Sequence, residues 1–146
     1  MATYLVTGGA GFIGSHVVEE LVSRGERVRV VDSLVTGRRE NLAHVADVDL
    51  RVGDLAEPAV ADRATTDVDY VVHLAAIPSV PRSVAEPIAT NHANVTGTLS
   101  LLVAAQRHAV KRVVFASSSS VYGDAATLPK QEDMPPAPLS PYALQK

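Results

Sequence analysis

The chain has 146 residues, 47% hydrophobic and 20% charged, with a net charge of −3 and no cysteine. These values describe one domain large enough for a real core. They exclude disulfides, thiolate catalysis and cysteine-based zinc sites, and they give no basic surface for nucleic acid.

TYLVT (residues 3–7) is the first predicted strand, so no signal peptide is expected before it. A glycine-rich turn follows, and then a helix over FIGSHVVEELVSRG. There Ile13, Val17 and Leu21 recur at helical spacing, and Gly25 occupies the C-terminal cap. RVRVVD (27–32) and VDLRVGD (48–54) are the next two strands, with a short helix from about 57 to 64. DYVVHLAA (69–76) is a fourth strand, apolar enough to be buried on both faces. Its apolar run, 70–77, is interrupted by His73 and too short to span a bilayer, so a soluble cytoplasmic protein is expected.

IPSVPRSVAEP (77–87) is predicted as a proline-rich loop, and residues 88–108 as one long helix. In that helix Val95, Leu99, Leu102 and Val103 form an apolar stripe, and Ala104 and Ala105 permit close packing. KRVVFASSSS (111–120) is a fifth strand running into four serines. The segment 123–139 holds four of the nine prolines and is predicted to be irregular. SPYALQK (140–146) opens a helix with Ser140 at the N-cap and Pro141 at the first helical position. Four-residue spacing puts Tyr142 and Lys146 on one face of it.

Alternating strands and helices with buried strands predict an α/β fold, an open parallel sheet doubly wound by right-handed crossovers. The expected order is 3-2-1-4-5, with a ligand crevice at the carboxyl ends of strands 1 and 4. Gly8, Asp32, Asp54, Ala75 and Ser118 follow strands 1 to 5 and therefore converge there.

Gly8, Gly11 and Gly14 lie between a strand and a helix. At this spacing the first permits a tight turn, the second lets backbone approach a pyrophosphate, and the third lets the helix pack on the sheet. A tight turn without a ligand is the plain alternative. Asp32, ending the second strand, suits ribose hydroxyls and repels a 2′-phosphate, which favours NAD over NADP. Arg38 and Arg39 pull the other way. Asp54 is either an acceptor for an adenine amino group or an ordinary turn residue. His73 reads as a hydrogen-bonded core histidine. No acid or second histidine stands at metal-ligand spacing, so no metal is assigned. The serines and the Tyr142/Lys146 pair have plain readings as a polar strand end and an exposed helix face. Together, near a dinucleotide site, they form a Ser/Tyr/Lys set. Tyrosine is a poor base at neutral pH, but a lysine one turn away and a cationic nicotinamide ring favour its phenolate.

TGGAGFIGSH, the acid ending strand 2 with TGRRENL, GDL, HLAA, NVTGT, SSSSVYG and YxxxK together resemble the extended short-chain dehydrogenase/reductases, a Rossmann-type family. Within it the chain is most similar to the nucleotide-sugar 4-epimerases. The resemblance implies NAD as a bound prosthetic group, with epimerisation at C4 of a UDP-sugar through a transient 4-keto intermediate. It assigns Tyr142 as base, Ser118 as a hydrogen-bond donor at the sugar O4, and Lys146 to the nicotinamide ribose and the tyrosine. Beside the three glycines and Asp32, it assigns cofactor contacts to Phe12, Ile13, Ser33, Leu34, Thr36, Gly37, Asp54, Leu55, Leu74, Ala75, Ala76 and Asn94. Ser79, Val80 and Ser119 map near the sugar.

Related dehydratases carry acids where this chain has Ser119 and Ser120, so dehydration is disfavoured. Relatives continue past the YxxxK lysine into a substrate domain. The expectation is therefore an N-terminal, NAD-binding portion (1–146) of a longer enzyme. A binding fragment without turnover, or a parent of dehydratase or decarboxylase type, are the alternatives. The resemblance also implies a possible homodimer, paired through helix 88–108. The final helix is expected to be too short to hold its shape without packing, and the sheet edge beside strand 5 to lie open.

Overall fold

In the computed structural model, which describes residues 1–126 and 128–146, five strands form one parallel sheet. They are β1 (Thr3–Thr7), β2 (Arg27–Asp32), β3 (Asp49–Val52), β4 (Tyr70–His73) and β5 (Arg112–Phe115). Their order is β3-β2-β1-β4-β5, as the alternating pattern predicts. Thr7 stands opposite Val31 on one side and His73 on the other, so the carboxyl ends of the central strands are level. The order reverses between β1 and β4, and the crevice opens there.

Successive strand residues point to opposite faces, which splits the core in two. Leu5 joins Val31, Val71, Ala61, Ala64 and Leu101 on one face. Val6 joins Val18, Val28, Val30 and Leu42 on the other. Each fully buried Val or Leu contributes about 1.5–3 kcal/mol. Helix α1 (Phe12–Ser23) ends in a Schellman motif, with Gly25 at φ +78° and bonds from Gly25 N–H to Val22 O and Glu26 N–H to Leu21 O. Helix α2 (Pro58–Thr65) covers the first face together with α5 (Gly97–Arg107).

Several elements differ from the sequence reading. The proline-rich stretch contains α3 (Val80–Ala85), because the Ser79 hydroxyl accepts the Arg82 N–H and Pro81 sits in the first turn. The predicted long helix is α4 (Pro87–Asn91), a π-helical turn (His92–Thr96) and α5 in succession. Its stripe of Val95, Leu99, Leu102 and Val103 faces outward. Gly97, Leu101, Ala104 and Ala105 are the buried residues, since that face meets the sheet and α2. In α1, likewise, Ile13 is exposed and Val18 is the residue fully enclosed. Strands β4 and β5 end at His73 and Phe115, and the chain leaves the sheet there. β5 is an edge strand and mostly exposed. Segment 123–139 carries no helix or strand among the described residues; position 127 of that prediction lies outside them.

Helix α6 (Pro141–Gln145) has only five residues and persists through tertiary contacts. Ser140 caps it by accepting the Ala143 N–H, and Ala143 is buried. The Tyr142 N–H donates to Ser83 Oγ at 3.0 Å, and Gln145 bonds to Asn94 and Thr90. No described helix is long and apolar enough to cross a membrane.

His73 is the core histidine the sequence predicts. It is 1% exposed, with Nδ1 2.6 Å from Thr7 Oγ1 and Nε2 2.8 Å from Thr98 Oγ1. Burial, assisted by the Lys146 charge, pushes its pKa down to about 4. The unfolded chain therefore binds a proton between about pH 6.5 and 4 that the folded chain refuses. Stability is full above that window and is lost as pH falls through it, by roughly 3 kcal/mol from this residue. Urea unfolding of the wild type at about pH 7 and about pH 4.5 is expected to report that loss. In His73→Gln, which cannot titrate, most of it should vanish. Equal losses in both proteins would assign the acid sensitivity elsewhere.

Candidate functional site

The turn after β1 is built on backbone proximity. Gly8 has φ +68°, and a Cβ there would lie 2.8 Å from Ala75 backbone atoms. A Cβ on Gly14 would strike the Gly8 carbonyl oxygen. Bare glycine at both positions lets the start of α1 sit against the ends of β1 and β4. Gly11 is the N-cap of α1 and brings no side chain, so no side chain caps the helix's first N–H groups. A Cβ on Gly11 would meet only the Gly8 carbonyl, at 3.2 Å, which leaves the approach open. This arrangement is a cradle for an anion.

Around the turn lies a crevice with two adjoining lobes. The larger, about 440 Å³, is lined by Gly8, Gly11, Phe12, Ile13, Gly14, Leu74, Ala116, Ser117, Tyr142 and Lys146. The smaller, about 240 Å³, is lined by Gly53, Asp54, Leu55, Ile77, Arg82, His92 and Ala93. Asp32, Ser33, Thr36, Ala75 and Ala76 border both. Asp32 is buried, its Oδ2 accepting the Ala10 N–H and its Oδ1 the Leu34 N–H. Each oxygen retains room to accept again. Gly37 presses on this carboxylate, since a Cβ there would lie 2.8 Å from both oxygens. Arg38 and Arg39 line neither lobe.

Tyr142 and Lys146, with Ser117, are among the residues that line the larger lobe. The Lys146 ammonium lies 4.4 Å from the centre of the Phe115 ring, and burial lowers its pKa. Ser118 lines neither lobe, although Ser117 before it does; its hydroxyl caps the turn Ser119–Tyr122 and lies 2.8 Å from Ser120 Oγ. Among the described residues no group of His, Asp and Glu could hold a metal ion.

Other expected contacts stand differently. Asn94 is 2% exposed and lines neither lobe; its amide bonds Ile77 N–H, Ile77 O and Gln145 Oε1. Its neighbours His92 and Ala93 face the smaller lobe instead. Leu34 packs toward the Val6 side of the core, and only its N–H serves Asp32. Ser79, Val80 and Ser119 lie outside both lobes. The sequence reading missed Thr7, whose hydroxyl oxygen accepts N–H bonds from Leu74 and Ala75 and so shapes the crevice wall. A polar residue closing an apolar strand was the available signal.

A sequence model of the NAD dependent epimerase/dehydratase family matches residues 4–146. The UDP-glucose 4-epimerase of Azospirillum brasilense is 41% identical over 144 residues, covering 97% of this chain and 41% of that protein. Among solved structures, the NAD complex of UDP-glucose 4-epimerase from Thermus thermophilus superposes with a TM-score of 0.91 at 42% identity, covering 99% of this chain and 47% of that one. The UDP-N-acetylglucosamine 4-epimerase from Methanobrevibacter ruminantium, in complex with UDP-N-acetylmuramic acid, gives 0.91 at 41% identity, with 99% and 46% covered. The chain thus spans under half the length of these proteins.

The glycine geometry yields a direct check. Gly14→Ala is expected to destabilise the chain by about 3 kcal/mol, because the colliding atoms are backbone and cannot rotate away. Gly25→Ala, where a Cβ meets nothing within 4 Å, carries only the strain of its positive φ and should cost about 1 kcal/mol. Denaturant midpoints of the two variants measure the contrast, and equal costs would contradict the close approach.

Proposed function

Because the chain belongs to the NAD dependent epimerase/dehydratase family, we propose that it is the cofactor-binding part of an enzyme that inverts C4 of a UDP-sugar through a transient 4-keto sugar. One observation carries this: a phenol and an ammonium, Tyr142 and Lys146, share a crevice with the glycine turn and Asp32. The crevice fits NAD. The uncapped N–H groups opening α1 suit its phosphates, Asp32 its adenosine ribose, and the lobe by Asp54 and Leu55 its adenine. Bound there, NAD supplies the hydride acceptor and donor that inversion at C4 requires.

The chain's own residues then handle the proton and the alignment. Tyr142 as phenolate takes the proton of the C4 hydroxyl and later returns it. Ser118 turns its hydroxyl from Ser120 toward the sugar O4. Lys146 would hold the nicotinamide ribose, and it brings a positive charge to the lobe that the Tyr142 phenol lines. Ser119 and Ser120 offer no acid to expel water, which supports epimerisation over dehydration. Ser79 and Val80, following the crevice residue Pro78, are the nearest candidates for sugar contacts. The outward stripe of Leu99, Leu102 and Val103 is the face that pairing of two copies would use. A second reading is NAD binding without turnover, which the cofactor-side residues of the two lobes support by themselves.

In an assay of C4 inversion with UDP-glucose and UDP-N-acetylglucosamine, Tyr142→Phe is expected to lower kcat by about 10²- to 10⁴-fold. NAD affinity, measured by calorimetry on the same variant, should change little. Unaltered turnover would remove Tyr142 as the base. NAD binding by a wild-type chain that turns over neither sugar would select the second reading.

A further inference from the structure

The smaller lobe contains a titratable side chain that the chemistry above does not use. His92 stands in the π-helical turn between α4 and α5, an irregularity frequent at functional sites, and lines the lobe with Leu55, Ile77, Ala89 and Ala93. Across from it is Asp54. Asp54 Oδ1 is committed to the Ala56 N–H at 2.9 Å. The other oxygen, Oδ2, is the one His92 Nε2 faces, at 3.9 Å. The two side chains are 57% and 45% exposed, so the imidazole exchanges protons with solvent and the pair is not locked. The other charged groups around His92 are Arg82 of α3, paired with Glu86 at 3.2 Å, Glu86 itself, and Asp32 at the far wall.

The cofactor reading puts the adenine in this lobe, and the inference rests on that reading. We propose that His92 is a cofactor-site residue whose charge sets both affinity for the purine and the choice of purine. Neutral His92 leaves Asp54 Oδ2 free to accept a hydrogen bond from the adenine 6-amino group. Protonated His92 draws the same oxygen into an ion pair and competes with the amino group for it. A 6-oxo purine has no amino hydrogen to give Asp54 Oδ2, so it loses no amino hydrogen bond when protonated His92 takes that oxygen.

Protonated His92 competes with the adenine for Asp54 Oδ2, so NAD affinity is expected to be lower at low pH than at high pH. The fall between about pH 8 and about pH 5.5 is expected to be roughly three- to tenfold, tenfold corresponding to one pKa unit of coupling. The hypoxanthine analogue of NAD, with a 6-oxo group, should gain relative to NAD over the same interval.

The test is calorimetric titration of the wild type and of His92→Asn with NAD and with the hypoxanthine dinucleotide at both pH values. Wild-type preference for NAD should narrow at the lower pH, and NAD binding between the two pH values should release a fraction of a proton. In His92→Asn the preference should be the same at both pH values and the proton release absent. His73 and every other ionisable group are common to both proteins, so the difference reports position 92 alone. The wild-type comparison of the two dinucleotides needs no variant to fold. NAD binding with identical pH profiles in both proteins, or a pH-independent preference in the wild type, would overturn this inference and leave the cofactor reading intact. Absence of binding by either dinucleotide at any pH would overturn both.

Discussion

One hydroxyl joins the two strands between which the sheet reverses. Thr7 Oγ1 accepts N–H bonds from Leu74 and Ala75 just where β4 leaves the sheet. With both lone pairs taken, its proton is directed to His73 Nδ1, 2.6 Å away. The imidazole then carries its own proton on Nε2 and donates it to Thr98 Oγ1. Thr98 passes its proton to the Asn94 carbonyl at 2.6 Å, beside the π-helical turn. The Asn94 side chain bonds Ile77 on one side and Gln145 of α6 on the other. A continuous polar chain therefore runs from the end of β1, next to the glycine turn, to the helix that carries Tyr142 and Lys146.

That chain explains how a five-residue helix holds a defined place. Isolated, α6 falls far below the length at which a helix is stable in water. Its position is set by Ser83, Thr90 and Asn94 rather than by its own backbone bonds. Asn94 also bonds Ile77, and Thr7 bonds Leu74 and Ala75, so the crevice wall and α6 share Asn94 as a common anchor. No described buried side-chain polar atom lacks a partner. In a low-dielectric core such satisfied networks specify one arrangement, because each alternative leaves a donor or acceptor unpaired.

The sheet order, the glycine turn and the Ser140 cap were legible in the sequence because each depends on local spacing and residue type. What was not legible depended on which face of a helix the sheet selects. The stripe of Val95, Leu99, Leu102 and Val103 is as regular as the Gly97, Leu101, Ala104 face that is buried, and only contact with α2 and the sheet decides between them. Asn94 illustrates the same limit at the site. The resemblance implies a cofactor contact there, whereas the structure buries the side chain outside both lobes, bonded to Ile77 and Gln145, and turns His92 and Ala93 to the crevice. The helix inside the proline-rich stretch was hidden differently: Pro81 and Pro87 mark helix starts as readily as loops, and the Ser79 cap decides.

Electrostatics tie the two ends of this network together. The Lys146 ammonium is partly buried against the Phe115 ring, and that ring packs on His73 with centroids 5.5 Å apart. A charge withdrawn from water is less screened, so it acts more strongly on its neighbours. On His73 it disfavours a second positive charge, which reinforces burial in keeping the imidazole neutral. A neutral His73 is what the Thr7 and Thr98 hydroxyls require, since an imidazolium has no lone pair for Thr7 to donate to. In the crevice the same ammonium lines the larger lobe together with Tyr142. One positive charge thus adds to burial in holding the polar chain in its neutral form. The cost is borne by Lys146 itself, whose charged form is disfavoured by burial.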